Sequence, residues 1–265
     1  MRSEGIAREL HESSRKVPPG CYQKVRPYLP TEIKQPKRKS KRNPKTFRIF
    51  SPDELVSNKL DAVLEVTSRN FQWDEETRAE GGRIIEILSE HTCQGMLQGY
   101  TLTGRTGLFP SYEAFLGIIH TMMIQYAKFI KMASESAWRK NYNEPSINYI
   151  ETSTWARQEH NGFSHQNPGF IGAVLELKSK IARVYFPPDA NCFLSTVSHC
   201  LRAKGYVNLM VGSKQPTPVW LTPEEANTVS FFYQWMGSMN LTHRCFFSTA
   251  LLVQQYGNLL ASTMV

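Results

Sequence analysis

From residue 46 onward, short apolar runs alternate with amphipathic stretches. TFRIF (46–50) alternates as a strand does. SPDELVSNKLDAVLEV follows at once. Ser51 and Glu54 are spaced as a capping box, Pro52 takes the first helical position, and Val56, Leu60, Val63 and Leu64 share one face. The pattern predicts a strand running directly into a capped helix. The alternation then recurs. RIIEIL (83–88) predicts a strand that ends just before Glu90. SYEAFLGIIHTMMIQYAKFIKMA (111–133) predicts one long helix with Phe115, Ile118, Ile119, Met122, Met123, Tyr126, Phe129 and Ile130 as its apolar positions. INYIET (147–152), ARVYFPP (182–188) and YVNLMVGS (206–213) predict strands. IGAVLELK and DANCFLSTVSHCLRAKG (189–205) predict helices, the second closed by glycine. LTPEEA (221–226) restarts a helix on a second capping box, Thr222 and Glu225.

Five or six strands alternating with helices imply an α/β fold with a doubly wound, mostly parallel sheet over residues 46–230. Ligands of such sheets sit beyond the carboxyl ends of the strands. Two polar segments follow predicted strands: the turn at Glu90 and the loop RQEHNGFSHQNPG (157–169). Their spacing along the chain does not prevent them from sharing one rim. The loop is notable for what it lacks. Gln158, His160, Asn161, Ser164, His165 and Gln166 fall within nine residues and serve no packing purpose. Such a cluster suits a polyhydroxylated or phosphorylated ligand, with a histidine able to move protons near neutral pH.

Charge divides the 265 residues unevenly. Residues 1–48 hold 14 Lys/Arg against 4 Asp/Glu, and the remainder hold 17 against 19. The net charge of +8 therefore belongs to a proline- and lysine-rich arm, residues 1–45, which reads as an extended linker. The near-neutral body argues against a nucleic-acid-binding domain; only the run at 37–45 offers an RNA-contacting or nuclear-localisation patch. Residues 231–265 form an irregular tail with a single charge, Arg244. Its glutamines, Tyr256, Gly257 and Asn258 weaken a membrane-spanning reading of 246–265. Five cysteines, no CxxC pair and no apolar leader point to reduced thiols and a cytoplasmic setting. No Cys/His spacing suggests a metal site, and no GxGxxG, P-loop, GxSxG or HExxH motif occurs.

RIFSPDELVSNKLDAVLEVTSRN, LSEHTCQGMLQGYTLTGRTGLFPSYEAF, WARQEHNGFSHQNPGF, VYFPPDANCFLSTVSHCLRAKGYVNLMVGSKQP and WLTPEEA, in this order, strongly resemble the phosphoketolases. These are thiamine-diphosphate enzymes of the transketolase superfamily that act on xylulose 5-phosphate and fructose 6-phosphate. The resemblance runs from about Thr46 to Ala226 and implies the family's pyrimidine-binding domain. On that resemblance, Glu90 is the glutamate that bonds the cofactor's aminopyrimidine ring, and Tyr112 and Phe115 line the ring's pocket. Gln158, His160 and Asn161 correspond to substrate contacts, and His165 to the histidine of proton transfer. Ser57, Lys59 and Lys214 correspond to residues near the substrate phosphate. Lys59 stands where many members have arginine, and Thr106 where many have histidine.

The resemblance also implies a gap. The family binds the diphosphate and its magnesium on a preceding domain with a Gly-Asp-Gly motif, and that motif does not occur here. Its active site forms between two subunits of a homo-oligomer. The expectation is a fragment that supplies the pyrimidine half of a phosphoketolase site and needs a sugar phosphate as substrate. The alternative is an inactive truncated paralogue that at most binds a full-length partner.

Overall fold

In a computed structural model, the chain is described at residues 47–52, 55–65, 67–70, 82–137, 146–152, 165, 167–213 and 219–228. The elements run β1 (Phe47–Ser51), a 3₁₀ turn (Asp61–Glu65), β2 (Ile84–Glu86), α1 (Glu90–Leu102), β3 (Thr106–Ser111) and α2 (Glu113–Leu116). A second 3₁₀ turn (Gly117–Ile119) leads to α3 (His120–Glu135), β4 (Ile147–Thr152), α4 (Gly169–Leu175), β5 (Ala182–Tyr185), α5 (Ala190–Arg202) and β6 (Val207–Gly212). Residues 223–228 are helical.

The strands form one six-stranded sheet in the order β2-β1-β3-β4-β6-β5. Every pairing is parallel. The doubly wound α/β class expected from the alternating pattern is therefore the observed one. The central strands β4 and β6 are buried along their whole length. Helices cover both faces, which is the arrangement a parallel sheet needs. On one face Phe50, Phe109, Tyr149 and Leu209 pack under Leu97 of α1, Met123 and Tyr126 of α3, and Phe170 of α4. On the other, Phe47, Ile49, Leu108 and Met210 meet Leu60 and Val63 of the first 3₁₀ turn, and Phe193 and Val197 of α5. Each fully buried side chain of this size contributes about 1.5–3 kcal/mol.

Two buried asparagines of the sheet are joined by their side chains. Asn208 Nδ2 donates to Asn148 Oδ1 at 2.8 Å, and Asn148 Nδ2 donates to the Gly107 carbonyl at 3.0 Å. The two asparagines stand opposite each other in the β4–β6 register. One residue's slip in that register would strand both amides in the core. The capping box expected at Thr222 and Glu225 is formed. Asp189 accepts from the Cys192 N–H at 2.8 Å at the start of α5, and that helix ends at Arg202 with Ala203 as its cap, two residues before the expected closing glycine, Gly205 at φ 72. The Thr222 hydroxyl accepts from the Glu225 N–H, and the Glu225 carboxylate accepts from the Thr222 N–H.

Two expected elements differ. The helix expected after Ser51 is absent among the described residues: 55–59 are turn, and only Asp61–Glu65 coils, as 3₁₀. Lys59 sits at φ 60, a left-handed conformation that no right-handed helix passes through. The apolar spacing still does its work, since Leu55, Leu60 and Val63 are buried. The single helix expected over 111–133 is three pieces. Tyr112 is extended at φ −70 and ψ 156, and Gly117 begins the 3₁₀ turn between α2 and α3. Ile118 and Phe129, expected in the core, face solvent on this broken path. The arm 1–45 and the tail 231–265 lie outside the described residues, as does Glu54.

Gly82 marks the tightest backbone approach. A Cβ there would sit 2.5 Å from the Arg69 carbonyl oxygen and 2.8 Å from that of Ser68. Both are backbone atoms, so no rotamer change relieves the clash. Gly82→Ala is expected to lower stability by about 1–3 kcal/mol, the usual range for overpacking. Urea unfolding of the two proteins, compared at equal slope, measures it.

Candidate functional site

A parallel sheet collects all its carboxyl ends on one side. Here that rim receives Ser57 and Lys59 after β1, Glu90 after β2, Tyr112 and Phe115 after β3, His165 after β4, and the exit of β6 at Ser213. The strand order reverses between β1 and β3, because β1 leads outward to β2 and the chain then returns to β3 on its other side. Ligands of doubly wound sheets bind at such a switch point. The crevice is braced from within. The Thr152 hydroxyl at the end of β4 bonds Asn58 Oδ1 from the β1 exit, and lies 3.2 Å from the Ser111 carbonyl at the end of β3. Three exits are thus held to one another by a single buried hydroxyl.

Glu90 opens α1. Ser89 is its N-cap, and its hydroxyl accepts from the Thr92 N–H at 3.2 Å. The cap fixes where the helix starts, and so where the Glu90 side chain leaves the rim. One turn further, Gln94 is fully buried and its Nε2 donates to the Tyr149 hydroxyl at 2.7 Å. That bond ties the first turns of α1 to the central strand β4.

After β3, Tyr112 and Phe115 lie edge to face with ring centres 5.6 Å apart. His165 completes the group. Its ring centre is 5.4 Å from Tyr112 and 5.0 Å from Phe115. His165 therefore stands against Tyr112 and Phe115, and three residues named from the sequence meet in one aromatic wall. α1 and α2 pack on the same face of the sheet, so Glu90 and this wall share a face as well as a rim. Ser57 and Lys59 are exposed on the β1 exit. Lys59 keeps its left-handed backbone there, a strain of roughly 1–2 kcal/mol that glycine would avoid. Gln158, His160, Asn161 and Lys214 lie outside the described residues.

Beneath the wall is a feature that the sequence reading did not single out. Glu151, the penultimate residue of β4, is fully buried, and neither carboxylate oxygen has a hydrogen-bond partner. Glu113, the first residue of α2, is also buried, and one of its oxygens is unpartnered. Gln94 Oε1 is a further buried acceptor without a donor. Burial, and secondarily the Glu113 charge, push the Glu151 carboxyl well above its usual range. The available signal was a carboxylate inside the otherwise uncharged strand INYIET, where a central parallel strand calls for apolar residues. The aromatic edges of Tyr112 and Phe115 suit packing on a ring bearing an amino group.

The fold and rim define a doubly wound α/β protein with a ligand end of aromatic, carboxylate and imidazole groups. Residues 37–203 match the family model described as D-xylulose 5-phosphate/D-fructose 6-phosphate phosphoketolase. The chain belongs to the phosphoketolase family. It is 58% identical over 184 residues to "Probable phosphoketolase" of Schizosaccharomyces pombe, covering 69% of this chain and 22% of that protein. It is 53% identical over 188 residues to "Probable phosphoketolase" of Rhodopirellula baltica, covering 69% and 23% respectively. The chain thus spans under a quarter of the length of these two relatives. Among solved structures, a split gene transketolase, described as an inactive beta4 tetramer, is similar at a TM-score of 0.42 and 12% identity. That likeness covers 77% of this chain and 54% of the other. Among the described residues, no helix is long and apolar enough to cross a membrane.

Glu151 gives a pH test with a defined sign. Its folded pKa lies above the ordinary 4.5, so the folded state holds a proton that the unfolded state has released. The group's contribution to stability is then greatest at low pH and declines as pH rises from about 4.5 through the raised value. Glu151→Gln removes the titration and keeps the shape. The variant is expected to melt higher than the parent at pH 7, with the difference shrinking as pH falls to 4.5. Paired thermal melts across that range measure it.

Proposed function

We propose that this chain supplies the pyrimidine-binding half of a thiamine-diphosphate-dependent phosphoketolase site. The reaction would be cleavage of xylulose 5-phosphate or fructose 6-phosphate with inorganic phosphate, giving acetyl phosphate and a shorter sugar phosphate. The observation that carries the reading is the wall of Tyr112, Phe115 and His165 on the same rim and face as Glu90. When bound, thiamine diphosphate would supply a nucleophilic carbon and an electron sink for carbon–carbon cleavage.

The chain's own residues take the following parts. Glu90 would share a proton with a ring nitrogen of the aminopyrimidine, its carboxyl donating to the neutral ring and its carboxylate accepting from the protonated one. Tyr112 and Phe115 pack on the ring and exclude water from that bond. His165, held by both aromatic rings, moves a proton to or from the substrate. Gln158, His160 and Asn161 grip the sugar, while Ser57, Lys59 and Lys214 meet its phosphate. Lysine at 59 gives a point charge and no bidentate fork. The diphosphate and its magnesium belong to a diphosphate-binding domain with a Gly-Asp-Gly motif, which these 265 residues do not contain. The complete site forms between subunits of an oligomer, in a cytoplasmic setting.

This division decides the activity. A pyrimidine ring alone offers one hydrogen bond and ring packing, on the order of a few kcal/mol, against the cost of immobilising a ligand. The isolated 265-residue chain is expected to produce no acetyl phosphate from xylulose 5-phosphate with thiamine diphosphate and magnesium. Mixing it with a full-length phosphoketolase disabled at the residue matching Glu90 is expected to restore activity. Glu90→Gln in this chain should abolish the restored activity. Co-purification with the full-length enzyme without restored turnover would favour an inactive paralogue that only binds a partner.

A further inference from the structure

The opposite end of the sheet holds a row of three arginines. Arg83 immediately precedes β2, Arg48 is the second residue of β1, and Arg105 immediately precedes β3. These are three adjacent strands. Ile49 pairs with Ile84, which sets Arg48 beside Arg83, and Arg48 pairs with Gly107, which sets Arg105 two residues further toward the amino end of β3. Neighbouring strands lie about 4.8 Å apart and each residue rises about 3.3 Å, so the three stems stand on one face within roughly 12 Å. Strand alternation sends Arg48 to the same face as Phe50, the face that α1 covers.

Arg48 and Arg105 converge on Tyr100 of α1. The Arg48 Cζ lies 5.9 Å and the Arg105 Cζ 5.6 Å from the centre of its ring. The charges of Arg48, Arg105 and Arg83 each act on the Tyr100 hydroxyl, against the burial that raises its pKa. Like charges placed side by side on a sheet are destabilising. Two features offset part of this: the ring face and the last carbonyls of α1, where the helix carries about half a negative charge. Arg105 Nη1 also donates to the Thr103 hydroxyl at 2.6 Å. Neither Arg48 nor Arg105 bonds a carboxylate among the described residues.

We infer that the row Arg48, Arg83 and Arg105 is a binding site for a phosphate group, inorganic or carried by a small phosphorylated metabolite. Adjacent arginine forks on neighbouring strands suit a tetrahedral anion, whose several oxygens reach more than one fork; a carboxylate fills a single fork. The site lies at the amino ends of the strands, away from Glu90 and His165, and does not depend on the cofactor reading of the rim.

The test is thermal unfolding of the whole chain in inorganic phosphate, with sodium chloride at matched ionic strength as reference. A saturable rise in Tm above the chloride reference is expected. In Arg105→Gln its midpoint should move to about tenfold higher phosphate, the loss expected for one charged hydrogen bond. Arg105→Lys keeps the charge without the fork and should fall between; it also carries the test if Arg105→Gln fails to fold. Glycerol 3-phosphate in a second arm separates the sources: a lower midpoint than inorganic phosphate identifies a phosphorylated metabolite, a higher one the free anion. An unchanged midpoint in both Arg105 variants overturns the assignment. So does a wild-type rise no greater than chloride gives, or one abolished by Lys59→Ala and kept by Arg105→Gln, which would place the anion on the rim.

Discussion

A parallel hydrogen-bond ladder allows no freedom about which end of a sheet receives which loops, and that constraint organises this protein. With all six strands running one way, every strand exit opens on one side. Residues as far apart as Ser57, Glu90, Tyr112 and His165 come to one rim because their parent strands are paired in parallel. The ladder is itself pinned by the buried pair Asn148 and Asn208, whose side-chain N–H groups find their acceptors in a single register. The Thr152 hydroxyl then joins the exits of β1, β3 and β4. Site geometry here is a consequence of strand direction and register more than of any loop's own preference.

Much of this was legible in the residues because the signals were local. INYIET became β4 over its full length, and Thr222 with Glu225 formed the capping box their spacing implies. Strand and helix alternation gave the class of fold. The failures also have physical causes. A capping box and an amphipathic spacing at 51–64 could not reveal that Lys59 would turn left-handed, since that conformation is imposed by the packing of Leu55, Leu60 and Val63. The helix expected over 111–133 tightens to 3₁₀ over Gly117–Ile119, where Gly117 stays right-handed and Ile119 departs to φ −97 and ψ 8, a change that the apolar run did not signal.

The rim residues were found through family resemblance, because no spacing rule links Glu90 to a loop 75 residues later. What the resemblance did not supply was Glu151. A carboxylate with no partner inside a central strand costs stability, and such groups persist mainly where function requires them. Glu151 pairs in the ladder with Ser111, the residue before Tyr112, and the Glu113 charge acts on it, so this buried carboxyl stands at the strand end from which the wall is built. The arginine row at the opposite end gives the sheet a second pole, positive where the rim is acidic and aromatic.

The central claim is that the wall of Tyr112, Phe115 and His165 beside Glu90 receives an aminopyrimidine ring. Amide chemical-shift mapping with 4-amino-2-methylpyrimidine, titrated to millimolar concentration, tests it without the diphosphate or metal. The account predicts shifts concentrated at residues 89–94, 111–116 and 165, and their loss in Phe115→Ala. Shifts centred on the amino ends of the strands, or a rim response unchanged by Phe115→Ala, would contradict it.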